Sequence, residues 1–179
     1  MEGKHILLNG DRGVGKSTLI RRLLAENERP VYGFFTKKLA ADKTGFHPIY
    51  IHPAGRPAEA RAHTDENLIG TCDTVTHNIE LDVFNTLGVR YLAEARPGGL
   101  IVMDELGFME AEAEAFVQAV FTALDGEIPV IAAVKTRYDV PFLNAVRAHK
   151  NARVYDVTAD TRDALYTELC EVVRAWNAR

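Results

Sequence analysis

Cysteine is scarce: Cys72 and Cys170 are the only two in 179 residues. They lie far apart in the sequence, which suits a reducing cytoplasm better than a disulfide framework. No apolar run is long enough to span a bilayer, and a strand-like segment begins at His5, which leaves no room for a secretory leader. The expectation is a cytoplasmic protein with no membrane partner. A dominant charge is missing too. Lys and Arg number 21 against 25 Asp and Glu, and a net charge of -4 gives nucleic acid no electrostatic footing. His47, His52, His63, Cys72 and His77 lack the paired spacing of a zinc site, so they read as surface or hairpin residues with no structural metal. Repeats, low-complexity tracts and linkers are absent. With 47% hydrophobic residues the chain can fill an α/β core, and it reads as a single domain over residues 1–179.

What is present begins with "LLNGDRGVGKSTLIRRLL", Leu7 to Leu24. Gly10, Gly15, Lys16 and Ser17 fit G-x-x-x-x-G-K-[ST]. A short apolar strand precedes the loop, and Leu19, Ile20, Leu23 and Leu24 follow at helical spacing. Gly10, Gly13 and Gly15 let backbone N–H groups turn inward around phosphate oxygens, with the helix N-terminus adding further donors. Lys16 is aimed at the β- and γ-phosphates, and Ser17 offers its hydroxyl to Mg²⁺. Asp11, Arg12, Val14 and Thr18 complete the expected nucleotide-binding stretch Gly10–Thr18. Arg12 is expected to point outward, and Thr18 either touches the α-phosphate or packs in the first helical turn.

The rest of the chain alternates strands and helices with one interruption. Strands are expected at Val31–Leu39, Phe46–His52, Leu100–Met103, Val130–Val134 and Arg153–Val157. "ADKTG" (Ala41–Gly45) joins the first two of these as a β-hairpin. Helical faces are marked by Phe84–Ala95, Ala113–Leu124, Pro141–His149 and Leu165–Trp176. Pro53–Asn78 has no clean period and reads as an irregular excursion with short strands. The pattern implies a mainly parallel sheet with helices on both faces.

"LIVMDELGFME", Leu100 to Glu110, carries the second signal. An apolar strand delivers Asp104 to the sheet edge where ligands bind in open α/β folds. There Asp104 can hold Mg²⁺ opposite Ser17, and Glu105 can orient a water and accept its proton. Lys135, Thr136 and Arg137, at the end of another strand, either face the γ-phosphate or are solvated. Arg137, Arg147, Lys150 and Arg153 read as a solvated basic face. Asp104-Glu-Leu-Gly107 also fits the D-x-x-G of guanine-specific switches, but no N-K-x-D loop accompanies it.

Taken together, "GDRGVGKSTL", "GFFTKKL", "DELGFME" and "VTADTRDAL" resemble the small P-loop nucleoside-triphosphatase family of archaea, thermophilic bacteria and vertebrates. The resemblance spans most of the chain, and the Asp104–Glu110 run is its most specific part. It implies a RecA-like sheet and Mg²⁺-dependent hydrolysis of several nucleoside triphosphates to diphosphates. Residue by residue it supports Lys16 and Ser17 at the phosphates and metal, and Asp104 and Glu105 at the metal and water. The family pattern has Thr at the position of Ser17, a chemical equivalent, and Asn at that of Thr161. Two alternatives stay open. One is a nucleoside or nucleotide kinase, with Arg56 and Arg61 clamping the acceptor. The other is a nucleotide-binding switch with slow turnover.

Overall fold

Side chains of a strand alternate between the faces of its sheet, so an apolar strand without polar alternation must be covered on both sides. Strand β1 (His5–Gly10) obeys this rule. Ile6 and Leu8 enter one core with Leu19, Ile20 and Leu23, while Leu7 enters a second with Phe116 and Leu143. Strand β6 (Leu100–Leu106) divides the same way: Leu100 and Val102 face the first core, Ile101 and Met103 the second. Strand β7 (Val130–Lys135) sends Ile131 and Ala133 to the first and Val130, Ala132 and Val134 to the second. Helices α1 (Lys16–Ala25) and α6 (Arg162–Asn177) cover the first core. Helices α2 (Leu81–Val83), α3 (Val89–Ala93), α4 (Glu114–Asp125) and α5 (Pro141–Arg147) lie with the second.

The computed structural model describes residues 4–178. The remaining strands are β2 (Val31–Lys38), β3 (His47–Pro53), β4 (Leu68–Cys72), β5 (His77–Ile79) and β8 (Ala152–Asp156). All form one 8-stranded sheet in the order β5-β4-β3-β2-β6-β7-β1-β8. From β2 to β8 neighbours run parallel, with Ile6 opposite Ile131 and Arg153. From β2 to β5 they run antiparallel, beginning with the expected hairpin, Thr36 opposite Ile51. No helix among the described residues is long and apolar enough to cross a membrane.

Three expectations are sharpened by the structure. The excursion over Pro53–Asn78 carries the short strands expected of it: β4 and β5 extend the sheet, and Thr64 and Asn67 close a capping box ahead of β4. The helical run expected from Phe84 starts at Leu81 and contains a π-helical stretch, Phe84–Gly88. Of the histidines read as surface or hairpin residues, His52 is the hairpin kind, opposite Phe35. It is buried beside His63, and burial above all, with the nearby His63, Arg61 and Arg56 charges, pushes its pKa down to about 4.

Candidate functional site

The loop between β1 and α1 takes the shape its glycines permit. Gly13 and Gly15 have φ of 84° and 102°, values L side chains rarely adopt. Helix α1 has no side-chain cap and no acid in its first turn. Its leading N–H groups therefore remain available to an anion. Lys16 is 4% exposed and folds back over the loop, donating to Gly10 O at 2.7 Å and Asp11 O at 2.8 Å. Val14 packs against the α1–α6 core, and Thr18 is exposed and accepts a bond from Arg21.

The β6 carboxylates arrive beside this loop. Ser17 Oγ donates to Asp104 Oδ1 at 2.9 Å, so the two expected metal ligands lie together. Asp104 is 6% exposed, and burial raises its pKa to about 6, with Glu105 adding to the rise and Ser17, Lys16 and Arg21 opposing it. A desolvated carboxylate beside a hydroxyl, both hard oxygen donors, fits Mg²⁺. Among the described residues no group of three or more His, Cys, Asp or Glu could hold a metal by itself. Phosphate oxygens and water must complete the shell of such an ion.

Glu105 stands between two lysines. Its Oε2 lies 3.2 Å from Lys16 Nζ and its Oε1 3.4 Å from Lys135 Nζ. Strand β6 does not stop at Met103 as expected. It continues through Asp104, opposite Phe35, to Leu106, opposite Val134; Asp104 is held by paired backbone, and Glu105 sits in the register shift between Met103 and Leu106. The Asp104–Glu105 peptide is cis. Thr36 Oγ1 donates to Asp104 O from the β2 side.

The segment after β7 is not a set of free side chains. Arg147 donates to Lys135 O and Arg137 O, both at 2.9 Å, and so clamps the turn on which Lys135, Thr136 and Arg137 stand. The Arg137 guanidinium lies 4.7 Å over Phe108, whose ring meets His77 edge-on. This corrects the solvated-face expectation for Arg147. Arg153 pairs instead with Glu168. Glu110, given no role by sequence, is buried and accepts the Gly107 N–H. It closes the Asp104–Glu110 run, but the sequence attaches no role to it, because its burial depends on how the loop folds.

These groups line a cavity of ≈ 460 Å³. Gly10, Asp11, Arg12 and Ser17 form one wall, Asp104 and Glu105 the centre, and Lys135, Thr136 and Arg137 another wall. Arg12 is exposed, as expected, yet borders this mouth. Arg56 and Arg61 do not reach it. Arg56 lines a separate groove with Val31 and Arg90, and Arg61 lies over Phe35.

The model of the family described as NTPase matches residues 5–170. This chain belongs to that NTPase family. The chain is similar to the mouse cancer-related nucleoside-triphosphatase homolog, 26% identical over 96% of this chain and 97% of that one. The Thermotoga petrophila nucleoside-triphosphatase THEP1 is 28% identical, covering 94% and 92% respectively. The crystal structure of THEP1 from Aquifex aeolicus superposes with a TM-score of 0.73 over 94% of this chain and 98% of that chain, at 19% identity. At that identity the likeness establishes a P-loop NTPase fold, mixed at its antiparallel end.

Proposed function

We propose that this NTPase-family chain is a Mg²⁺-dependent nucleoside-triphosphatase, acting as a single cytoplasmic domain with broad tolerance of the base. One observation carries the reading: the Glu105 carboxylate, 22% exposed, is held between Lys16 and Lys135 at the edge of the phosphate loop. The family and its named relatives support the same activity.

The loop N–H groups and Lys16 bind the phosphate chain, whose oxygens compete with Glu105 for the Lys16 ammonium. Glu105 is thereby released toward a water in line with the γ-phosphate. The water oxygen forms a bond to phosphorus while the bond to the β,γ-bridging oxygen breaks, and Glu105 accepts the proton. Lys135 neutralises charge on the γ-oxygens, held in place by Arg147 through its carbonyl. Ser17 and Asp104 would hold Mg²⁺, which when bound screens the β- and γ-oxygens. No residue suited to clamping a phosphoryl acceptor lines the cavity from the Arg56–Arg61 segment, so water is the acceptor favoured here.

Glu105→Gln tests this. The amide keeps the shape and loses the basicity. Nucleotide affinity should hold, while phosphate release falls by about 10²–10⁴, the usual cost of a lost general base. Affinity that falls with turnover makes Glu105 a structural or metal ligand. Undiminished hydrolysis removes it as the base.

A further inference from the structure

The cavity is longer than hydrolysis requires. In a reactive complex the attacking water lies about 3–3.5 Å from phosphorus. That is less than the spacing of two neighbouring strands, about 4.8 Å. The γ-phosphate and its water therefore need only the stretch beside Asp104 and Glu105, at the end of β6. The lining runs on from there across β2, β3 and β4 to His77 on β5. Four strand spacings separate β6 from β5 in the sheet order, roughly 19 Å.

This extra chamber has its own chemistry. Its floor is apolar: Ile49, Ile69, Phe84 and Met109 line it and belong to the second core. Lys38 stands opposite Ile49 across the β2–β3 pair. Directly opposed residues share a face of the sheet, so the lysine arm lies along that floor. Lys38 is half-buried, and among the described residues no hydrogen bond or salt bridge engages its ammonium. The other charges around the chamber are committed. Lys135 pairs with Glu105, and Arg137 pairs with Asp139. Asp73 accepts the Val75 and Thr76 N–H groups of its own turn, and Glu110 accepts that of Gly107. A partly desolvated charge without a partner costs free energy that a bound anion would offset.

We infer that this chamber binds a second small molecule alongside the nucleotide: an amphipathic anion, with its apolar body on Ile49, Ile69 and Phe84 and its acidic group on Lys38. The inference rests on the hydrolase reading, which puts the γ-phosphate at Glu105. The whole cavity, ≈ 460 Å³, falls within the range of small-molecule sites, about 300–1,000 Å³, which join apolar walls to a few placed polar groups. None of the phosphate-loop, metal-ligand or water-directing residues comes from β3, β4 or β5. Those strands wall the chamber instead.

Two fluorescent probes of the same shape separate charge from body: neutral anilinonaphthalene and anilinonaphthalene sulfonate. Each is titrated into the parent, Lys38→Ala and Ile49→Trp. Mg²⁺ and the β,γ-imido analogue of ATP are kept at saturation, so that the phosphate loop is filled. The sulfonate should bind the loaded parent saturably and about tenfold more tightly than the neutral probe, the worth of one hydrogen bond to a charged group. Lys38→Ala should erase that difference and leave the neutral probe within about twofold. Ile49→Trp, which fills the chamber, should weaken both probes about tenfold or more. Calorimetry with the ATP analogue should give all three proteins affinities within about twofold, which shows the loop intact. The Lys38→Ala arm decides the matter even if the larger side chain does not fold. No saturable binding of either probe to the loaded parent overturns the assignment. So does equal affinity for the two probes, or an undiminished sulfonate in Lys38→Ala. Displacement of the sulfonate by the ATP analogue would put the probe on the phosphate loop and also overturn it. If Lys16→Ala binds the analogue as tightly as the parent, the hydrolase reading fails, and the placing of this chamber beyond the γ-phosphate fails with it.

Discussion

Glu110 carries a charge the fold opposes. Burial pushes its pKa up to about 7 from 4.5, Glu105 acting in the same direction, while the Gly107 N–H and Lys135 act against it. In the unfolded chain it ionises near 4.5. Between the two values the unfolded chain releases a proton that the native protein keeps, so stability falls as pH rises, and the full cost is present above about pH 7. Glu110→Gln keeps an oxygen for the Gly107 N–H and has nothing to ionise. It should be more stable than the parent at pH 8, by up to about 3 kcal/mol, with the gap closing near pH 4. Urea melts at the two pH values decide it, and a gap that widens toward acid contradicts the assignment. Residues of this kind divide by how they can be read. Lys16, Ser17, Asp104 and Glu105 are legible because loop spacing and a strand end place them. The bonds of Glu110 and Arg147 are not, since each reaches a backbone amide or carbonyl that only the folded chain brings to it.

The π-helical stretch shows what an element asks of one residue. Gly88 closes it, and a Cβ there would stand 2.5 Å from Phe116 Cδ2 and 2.7 Å from Cε2. Phe116 cannot swing aside freely, because its ring is flanked by Phe34 at 5.5 Å and Phe84 at 5.4 Å. Helix propensity favours Ala over Gly by about 1 kcal/mol. Overpacking a filled core costs about 1–3 kcal/mol. Gly88→Ala should therefore be destabilised by up to about 2 kcal/mol overall in chemical denaturation. A variant more stable than the parent would mean the ring yields. Strongly periodic elements were legible: α1 buries Leu19, Ile20 and Leu23, the residues whose spacing marks a helix. β4 was not, because only Ile69 and Cys72 along it are buried with side chains, and Gly70 breaks the pattern. Its strand character comes from pairing with β3 and β5, which no local window contains.

At the scale of the whole molecule, the candidate site joins the two cores. The phosphate loop leads into α1 on one face, while Phe84 and Met109, of the other core, also line the cavity. A ligand there binds the native chain and not the unfolded one. At a hundredfold excess over Kd the gain is about 2.7 kcal/mol. For a chain of this length that corresponds to a rise in Tm of roughly 5–10 °C. Thermal melts with the β,γ-imido ATP analogue and Mg²⁺ should show the rise, chelator should reduce it, and Lys16→Ala should lose it. An identical rise in all three would place the ligand elsewhere. The α/β alternation and the hairpin made this architecture legible; the bounds and pairing of β4 and β5 at the antiparallel end were the part the sequence did not convey. The place of β1 between β7 and β8 has a consequence for the growing chain on the ribosome. Asn9 has its sheet neighbours at Val134 and Asp156, so the strand that carries the phosphate loop is made well before either partner. At roughly 5–20 residues per second, Ile6, Leu7 and Leu8 wait on the order of ten seconds with both strand edges open. During that interval the nascent segment offers itself to chaperones rather than to nucleotide. A stalled chain ending before β7 has no frame for the loop, and nucleotide capture begins only when β8 has left the exit tunnel.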